Sequence, residues 1–212
     1  MSAGRRVAGW AALLATGVAV LAGCGGGTKT TTTSTATVPG SSRATVGTPG
    51  TAAVESNPGG DIPDSQAFVP YRDSAGLFTV TVPEGWAQTS AAGATVFTDK
   101  YNSIRIESRP SASAPTVDSV RTTDLPAVRA SVQGFTPGTV TSVNRKAGPA
   151  ILLTYHADSA PSSVTGKVAA EAVERYAFWR NGREVILTLS APVGSDNVDP
   201  WRKVTDTFTW VN

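Results

Sequence analysis

Apolar and polar residues alternate along much of the chain after Phe68, and the alternation predicts strands. Leu77–Val82 reads Leu-Phe-Thr-Val-Thr-Val, rich in β-formers. Val82-Pro83-Glu84-Gly85 follows, with Pro second and Gly fourth, which suits a type I turn. Ala94–Thr98 and Ser103–Ser108 flank Asp99-Lys100-Tyr101-Asn102, a hairpin loop. Thr139–Lys146 and Ala150–Ala157 form another pair, broken by Gly148-Pro149. The strongest local signal is Asn181-Gly182 between Ala169–Arg180 and Arg183–Ala191. Asn-Gly favours a two-residue type I′ turn, which sets Phe178 opposite Val185 and Tyr176 opposite Leu187. Both arms are mostly apolar, so this hairpin belongs at the sheet centre.

Two segments change period. Thr116–Val132 reads as helical, with Thr116 or Thr123 as cap and Pro126 in the first turn of a helix beginning near Asp124. Leu125, Val128 and Val132 then share a face. At the end, Asp199 is a natural N-cap and Pro200 fits the first helical position. Trp201, Val204, Phe208 and Val211 make one apolar stripe. Strands joined mainly by hairpins, with few helices, predict an α+β fold: an antiparallel sheet flanked by helices.

The first 66 residues are of another kind. Arg5 and Arg6 precede an uncharged apolar stretch, Val7–Val20, and then Leu21-Ala22-Gly23-Cys24. This is the layout of a secretory signal, residues 1–23, and too short for a permanent spanning helix, which needs about 20 apolar residues. Arg5-Arg6 fits either general or twin-arginine export. Leu-Ala-Gly-Cys resembles the bacterial lipobox, which implies acylation of Cys24, the chain's single cysteine, with palmitate-type chains. Two or more acyl chains hold a protein stably at a membrane. From Gly25 to Gln66 the chain is Gly, Thr, Ser, Pro and Ala with almost no large apolar residue. Residues 24–66 therefore read as a lipidated, disordered tether with a reach of roughly 35 Å, either bare or O-glycosylated. Residues 67–212 remain as one domain's length.

Charge follows from this division. The chain has 18 Lys+Arg against 16 Asp+Glu, and removal of Arg5 and Arg6 leaves 16 of each sign. A neutral mature chain gives no electrostatic support to a nucleic-acid partner.

Tyr71–Trp86, a short aromatic-plus-Gly stretch leading into a strand that ends Pro83-Glu84-Gly85-Trp86, resembles the opening of PsbP-like domains. The late hairpin and Asp199–Phe208, with its final Thr207-Phe208 pair, resemble that family's end. With the lipobox and Thr-rich tether, the whole is similar to actinobacterial lipoproteins of the LpqN type. The resemblance covers about Tyr71–Val211. It implies an α/β/α sandwich and an envelope-related binding role, and names no ligand.

Candidate chemistry is sparse. His156, the one histidine, lies in a predicted strand and reads as an exposed strand residue, although a general base or metal ligand would use the same side chain. No Gly-x-Ser-x-Gly elbow supports a Ser–His hydrolase. Zinc needs several His or Cys ligands at short spacing, and no such set exists. Asp196-Asn197-Val198-Asp199 is a helix start rather than a calcium loop, and Gly25-Gly26-Gly27 lies in the tether. Glu171 and Glu174 are three apart and so face opposite sides of a strand. Arg180 and Arg183 meet across a turn, a hint of an interaction tip. Arg202, Lys203 and Asp206 read as the solvated face of the last helix. Tyr71, Trp86, Tyr155, Tyr176, Trp179, Trp201 and Trp210 are either core or the lining of an apolar groove. The sequence thus suggests a non-enzymatic binding or adaptor lipoprotein outside the cell membrane, without cofactor or metal. It would be held by its lipid and partnered by an unidentified envelope protein or apolar ligand. A carrier of an apolar envelope molecule is the alternative.

Overall fold

The computed structural model describes residues 59–162 and 165–211, all within the compact unit Ala52–Asn212. Cys24, the signal segment and most of the predicted tether lie outside the described residues. Ten strands and short helices follow in order. These are β1 (Phe68–Arg72), β2 (Phe78–Pro83), β3 (Ala87–Ala91), β4 (Ala94–Asp99), β5 (Asn102–Pro110), α1 (Val117–Ser119), α2 (Leu125–Ser131), β6 (Thr136–Arg145), β7 (Gly148–Asp158), β8 (Ala170–Arg180), β9 (Arg183–Pro192), α3 (Val198–Thr207) and β10 (Thr209–Trp210).

Seven strands form one antiparallel sheet, ordered β3-β4-β5-β9-β8-β7-β6, and β1-β2-β10 form a second, smaller one. The β8–β9 hairpin is central as expected, and its register pairs Phe178 with Val185 and Tyr176 with Leu187. Asn181 and Gly182 both hold positive φ, 49° and 77°, as a type I′ turn requires.

Alternation then divides the large sheet into two faces. One carries Tyr176, Phe178, Leu187 and Ile104 into a core shared with β2 of the small sheet and Trp201, Val204 and Phe208. The other carries Ile151, Leu153, Tyr155 and Val173 into a core with Val120, closed by Leu125, Val128 and Val132. Helices therefore cover both faces of a mainly antiparallel sheet.

Several elements depart from the sequence expectation, each for a local reason. The sequence places residues 59–66 in the tether by composition, yet Ile62 is buried in the core. The Pro/Gly/Asp composition around it hides one apolar anchor. Strands β1, β3 and β10 were not foreseen; β3 is exposed at all five positions and so carries no alternation. The turn after β2 sits one residue later, with Gly85 at φ 84°, a left-handed position that a type I turn lacks and that glycine adopts freely. The β4–β5 loop is shorter than expected, because Asp99 pairs with Asn102 and only Lys100 and Tyr101 turn. The β6–β7 turn is Lys146-Ala147, and Gly148-Pro149 already belong to β7, opposite Arg145 and Asn144.

The helix before β6 starts at Val117, where Thr116 caps it and Ser119 reciprocates. Helix α2 begins directly after Asp124 with Pro126 in its first turn, as expected, although it continues from the passage before it; Pro126 has no N–H to donate. Residues Val120–Asp124 open to π spacing there, with Leu125 N–H donating to Val120 O. Helix α3 begins after Asn197, two residues before the predicted cap Asp199. It ends at Thr207, so Phe208 continues the buried stripe from the C-cap. Val211 lies outside the helix, its N–H donating to Leu77 O at 2.9 Å.

Candidate functional site

An open bowl of about 1010 Å³ lies at one end of the large sheet. Its floor follows from strand register. Thr98 pairs with Ser103, and Ser103 with Ser190, so three hydroxyl residues form one row across β4, β5 and β9. Ser103 and Ser190 bond at 2.8 Å. Glu171 of β8 joins the row by hydrogen-bonding Ser190, and burial pushes its carboxyl above the ordinary range.

One rim is the Lys100-Tyr101 turn. The turn needs Lys100 at φ 50°, and Tyr101 stands out from it, 54% exposed. The opposite rim is the β7–β8 connection. Ser159 N–H donates to Ala169 O at 2.8 Å, and Ala169 N–H returns to Ser159 Oγ at 3.0 Å. The excursion between them presents Lys167 and Val168. Gly59, where the described chain begins, also lines the bowl.

Behind the bowl stands a buried polar clamp. Asn197 accepts from Ile62 N–H at 2.8 Å and donates to Gly60 O at 2.9 Å and Asn102 Oδ1 at 3.0 Å. It locks the entry segment, the approach to α3 and the β4–β5 turn together.

Along the same face of the sheet runs a charge network. Glu107 takes hydrogen bonds from Arg105 at 3.0 Å and Arg175 at 3.2 Å. Burial pushes the Glu107 carboxyl up, but the two guanidinium groups outweigh it and leave it below its ordinary value. Arg109 bridges Glu184 and Asp124, tying β9 to the helical passage.

A second, smaller cleft of about 220 Å³ lies between the β6–β8 flank and Trp201. His156 is exposed there, opposite Thr136 and Ala172, as the strand reading expected. Its hydroxyl neighbours are threonines; no serine lines the cleft. Thr154 is engaged by Thr139, and Glu174 accepts from the Tyr176 hydroxyl at 2.7 Å. Tyr176 in turn accepts from Arg145 at 2.9 Å, and burial together with Glu174 pushes its phenol up to about 12.

The other predicted site residues are placed as follows. Asp206 is not on a purely solvated face: it is half-buried and lies 3.8 Å from both Arg145 and Arg202. Lys203 sits over the Phe68 ring at 4.1 Å. Arg180 and Arg183 are opposite each other, as read from the turn. The tip is also engaged from the side, with Ser111 N–H donating to Gly182 O and Trp179 Nε1 to Ser111 O, both at 2.9 Å. Tyr71, Trp86, Tyr176, Trp201 and Trp210 pack in or against one core, and Tyr155 in the other; of these, Tyr155 and Trp201 also border the small cleft. Among the described residues no group of three or more His, Cys, Asp or Glu side chains is placed to hold a metal, and no helix is long and apolar enough to cross a membrane. Sequence reasoning missed the bowl, because its hydroxyls are remote in sequence and meet only through register.

A β1–β2 entry, a hairpin-rich sheet and a closing helix invite comparison with solved folds. The cyanobacterial PsbP protein of Synechocystis sp. PCC 6803 aligns with a TM-score of 0.50 at 12% identity, over 72% of this chain and 98% of that one. The fold is PsbP-like. The Ran-binding protein Mog1p of Saccharomyces cerevisiae aligns at 0.49 and 8% identity, over 70% and 97% of the two chains. LpqN of Mycobacterium tuberculosis, described as involved in cell envelope biogenesis, aligns at 0.40 and 13%, over 70% and 93%. The chain spans about half, 48%, of a Bacteroides thetaiotaomicron structure that it also matches. No family model and no curated protein matches the sequence. The PsbP-like likeness concerns fold, and a fold hosts many functions.

Proposed function

We propose that this PsbP-like domain is the binding or adaptor part of a membrane-anchored, extracytoplasmic lipoprotein of the cell envelope, LpqN-like in organisation and acting without catalysis. In this reading Cys24 carries the lipid, residues up to the late fifties tether the domain, and the folded unit meets its partner from the outer face of the cell membrane. The observation that carries it is the open, ready-formed bowl that includes Gly59 and is lined by hydroxyl residues, two lysines and apolar surface. The groups that a hydrolytic reading would recruit around His156 already have structural partners, Glu174 with Tyr176 and Thr154 with Thr139. Of the aromatics that an apolar carrier would need, six pack in or against the two cores, and Trp179 is engaged by Ser111 O at the hairpin tip.

Cell fractionation with protease accessibility tests this. The wild-type protein is expected in the membrane fraction, digestible from outside in cells stripped of their wall, with Cys24→Ser released to the soluble fraction. A Cys24→Ser protein that stays in the membrane, or a domain shielded from external protease, contradicts the reading.

A further inference from the structure

Two kinds of surface that seldom share a depression meet in the bowl. Its floor is the hydroxyl row Thr98, Ser103 and Ser190, in which Ser103 and Ser190 bond each other and Ser190 also holds Glu171, leaving the Thr98 hydroxyl and the accepting side of Ser103 for a ligand. Its rims hold Tyr101 and Val168, exposed at 54% and 50%. Each rim thus offers one exposed apolar surface to whatever enters the recess. Beside each stands a lysine, Lys100 and Lys167, and neither has an ion-pair partner among the described residues.

Each group selects a property of the ligand. A row of hydroxyls, with the Glu171 carboxyl at its end, matches a molecule that is itself rich in hydroxyls. A half-exposed tyrosine ring offers a flat apolar face with a polar tip, suited to a body that is apolar on one face and wet at its edge. A sugar ring has that form. Two unpaired ammonium groups on opposite rims favour negative charge, as point charges that do not demand one fixed geometry. The recess is at the upper end of the size range of small-molecule sites, roughly 300–1,000 Å³, and open enough for a chain to pass through.

We propose that the bowl binds an acidic glycan, with one sugar ring laid on Tyr101, its hydroxyls on the Thr98–Ser103–Ser190 row, and its acidic groups near Lys100 and Lys167. This deepens the binding-module reading and rests on it.

The test is calorimetric titration of the full chain, extracted from membranes in detergent, with tetragalacturonate, the neutral maltotetraose, inorganic phosphate and a short oligo(dT). Saturable binding of tetragalacturonate is expected, at least tenfold tighter than maltotetraose. Tyr101→Ala and the double substitution Lys100→Ala/Lys167→Ala should each weaken it tenfold or more. Val198→Ala, exposed outside the bowl, should leave it unchanged. Circular dichroism shows whether each variant is folded; because Tyr101 and both lysines are surface residues of the connections between strands, loss of binding with an unchanged spectrum supports the proposal. No saturable binding of tetragalacturonate, equal affinity for maltotetraose, phosphate or oligo(dT), or indifference to the Tyr101 and lysine changes overturns it. Failure here removes the ligand class alone: release of the Cys24→Ser protein from the membrane is a separate readout, on which the wider reading stands or falls.

Discussion

Asn197 Nδ2 donates to Asn102 Oδ1 at 3.0 Å, and through this bond the approach to α3 holds the β4–β5 turn that carries Lys100 and Tyr101. Both asparagines are buried, and Asn197 also satisfies Ile62 N–H and Gly60 O. Asn197→Ala strands several buried polar groups at once, each worth about 1–3 kcal/mol. The expected loss is about 3 kcal/mol by urea unfolding, with faster hydrogen exchange at Ile62. A loss under about 1 kcal/mol would show that water replaces the clamp.

Tyr176 gives an alkaline signature. Its folded pKa is raised to about 12 from an ordinary 10, so its contribution is complete below pH 10 and is lost as pH rises toward 12. Stability measured from pH 9 to 12 should therefore fall more steeply in the wild type than in Tyr176→Phe. At neutral pH the variant should be about 1–2 kcal/mol less stable, since Arg145 and Glu174 both lose a partner. Parallel alkaline limbs would contradict the buried network.

Two glutamates on one face of the sheet should respond to acid in opposite senses. Glu107 has a lowered folded pKa, so its stabilisation is present above the unfolded value near 4.5 and is lost as pH falls below it. Glu171 has a raised pKa: the folded state takes up the proton first, and acid favours it until both states are protonated. Glu107→Gln should cost about 1 kcal/mol at pH 7 and flatten the acid limb. Glu171→Gln should be neutral or mildly stabilising at pH 7. Thermal melting from pH 3 to 7 distinguishes them, and matching profiles would overturn the assignment.

The β8–β9 turn rests on Gly182 at φ 77°. Gly182→Val places a β-branched residue where the left-handed backbone costs about 1–2 kcal/mol. A melting-temperature drop of several degrees is expected, and no change would mean that the turn relaxes to another form.

The parts legible in the sequence were those with local cause. Asn181-Gly182 sets the register of β8 and β9 by turn chemistry alone, and the apolar arms placed that hairpin at the centre. Trp201 and Val204 showed the face of α3. What was hidden depends on partners distant in the chain. β3 is exposed on both sides and exists because it pairs with β4. Ile62 is a lone anchor in a linker-like stretch, made part of the fold by Asn197, 135 residues away. Asn197 looked like part of a helix start, and its side chain instead serves the clamp rather than the cap. The bowl needs Thr98, Ser103 and Ser190, whose alignment is a property of the sheet and of no one segment.

The central claim is a binding domain on a lipid tether, and the mass of the protein extracted from membranes tests it most directly. A chain that starts at Cys24, heavier than its sequence by a diacylglyceryl group, with or without a further acyl chain, is the expected result. A chain that retains residues 1–23, or one with an unmodified Cys24 thiol, would contradict it.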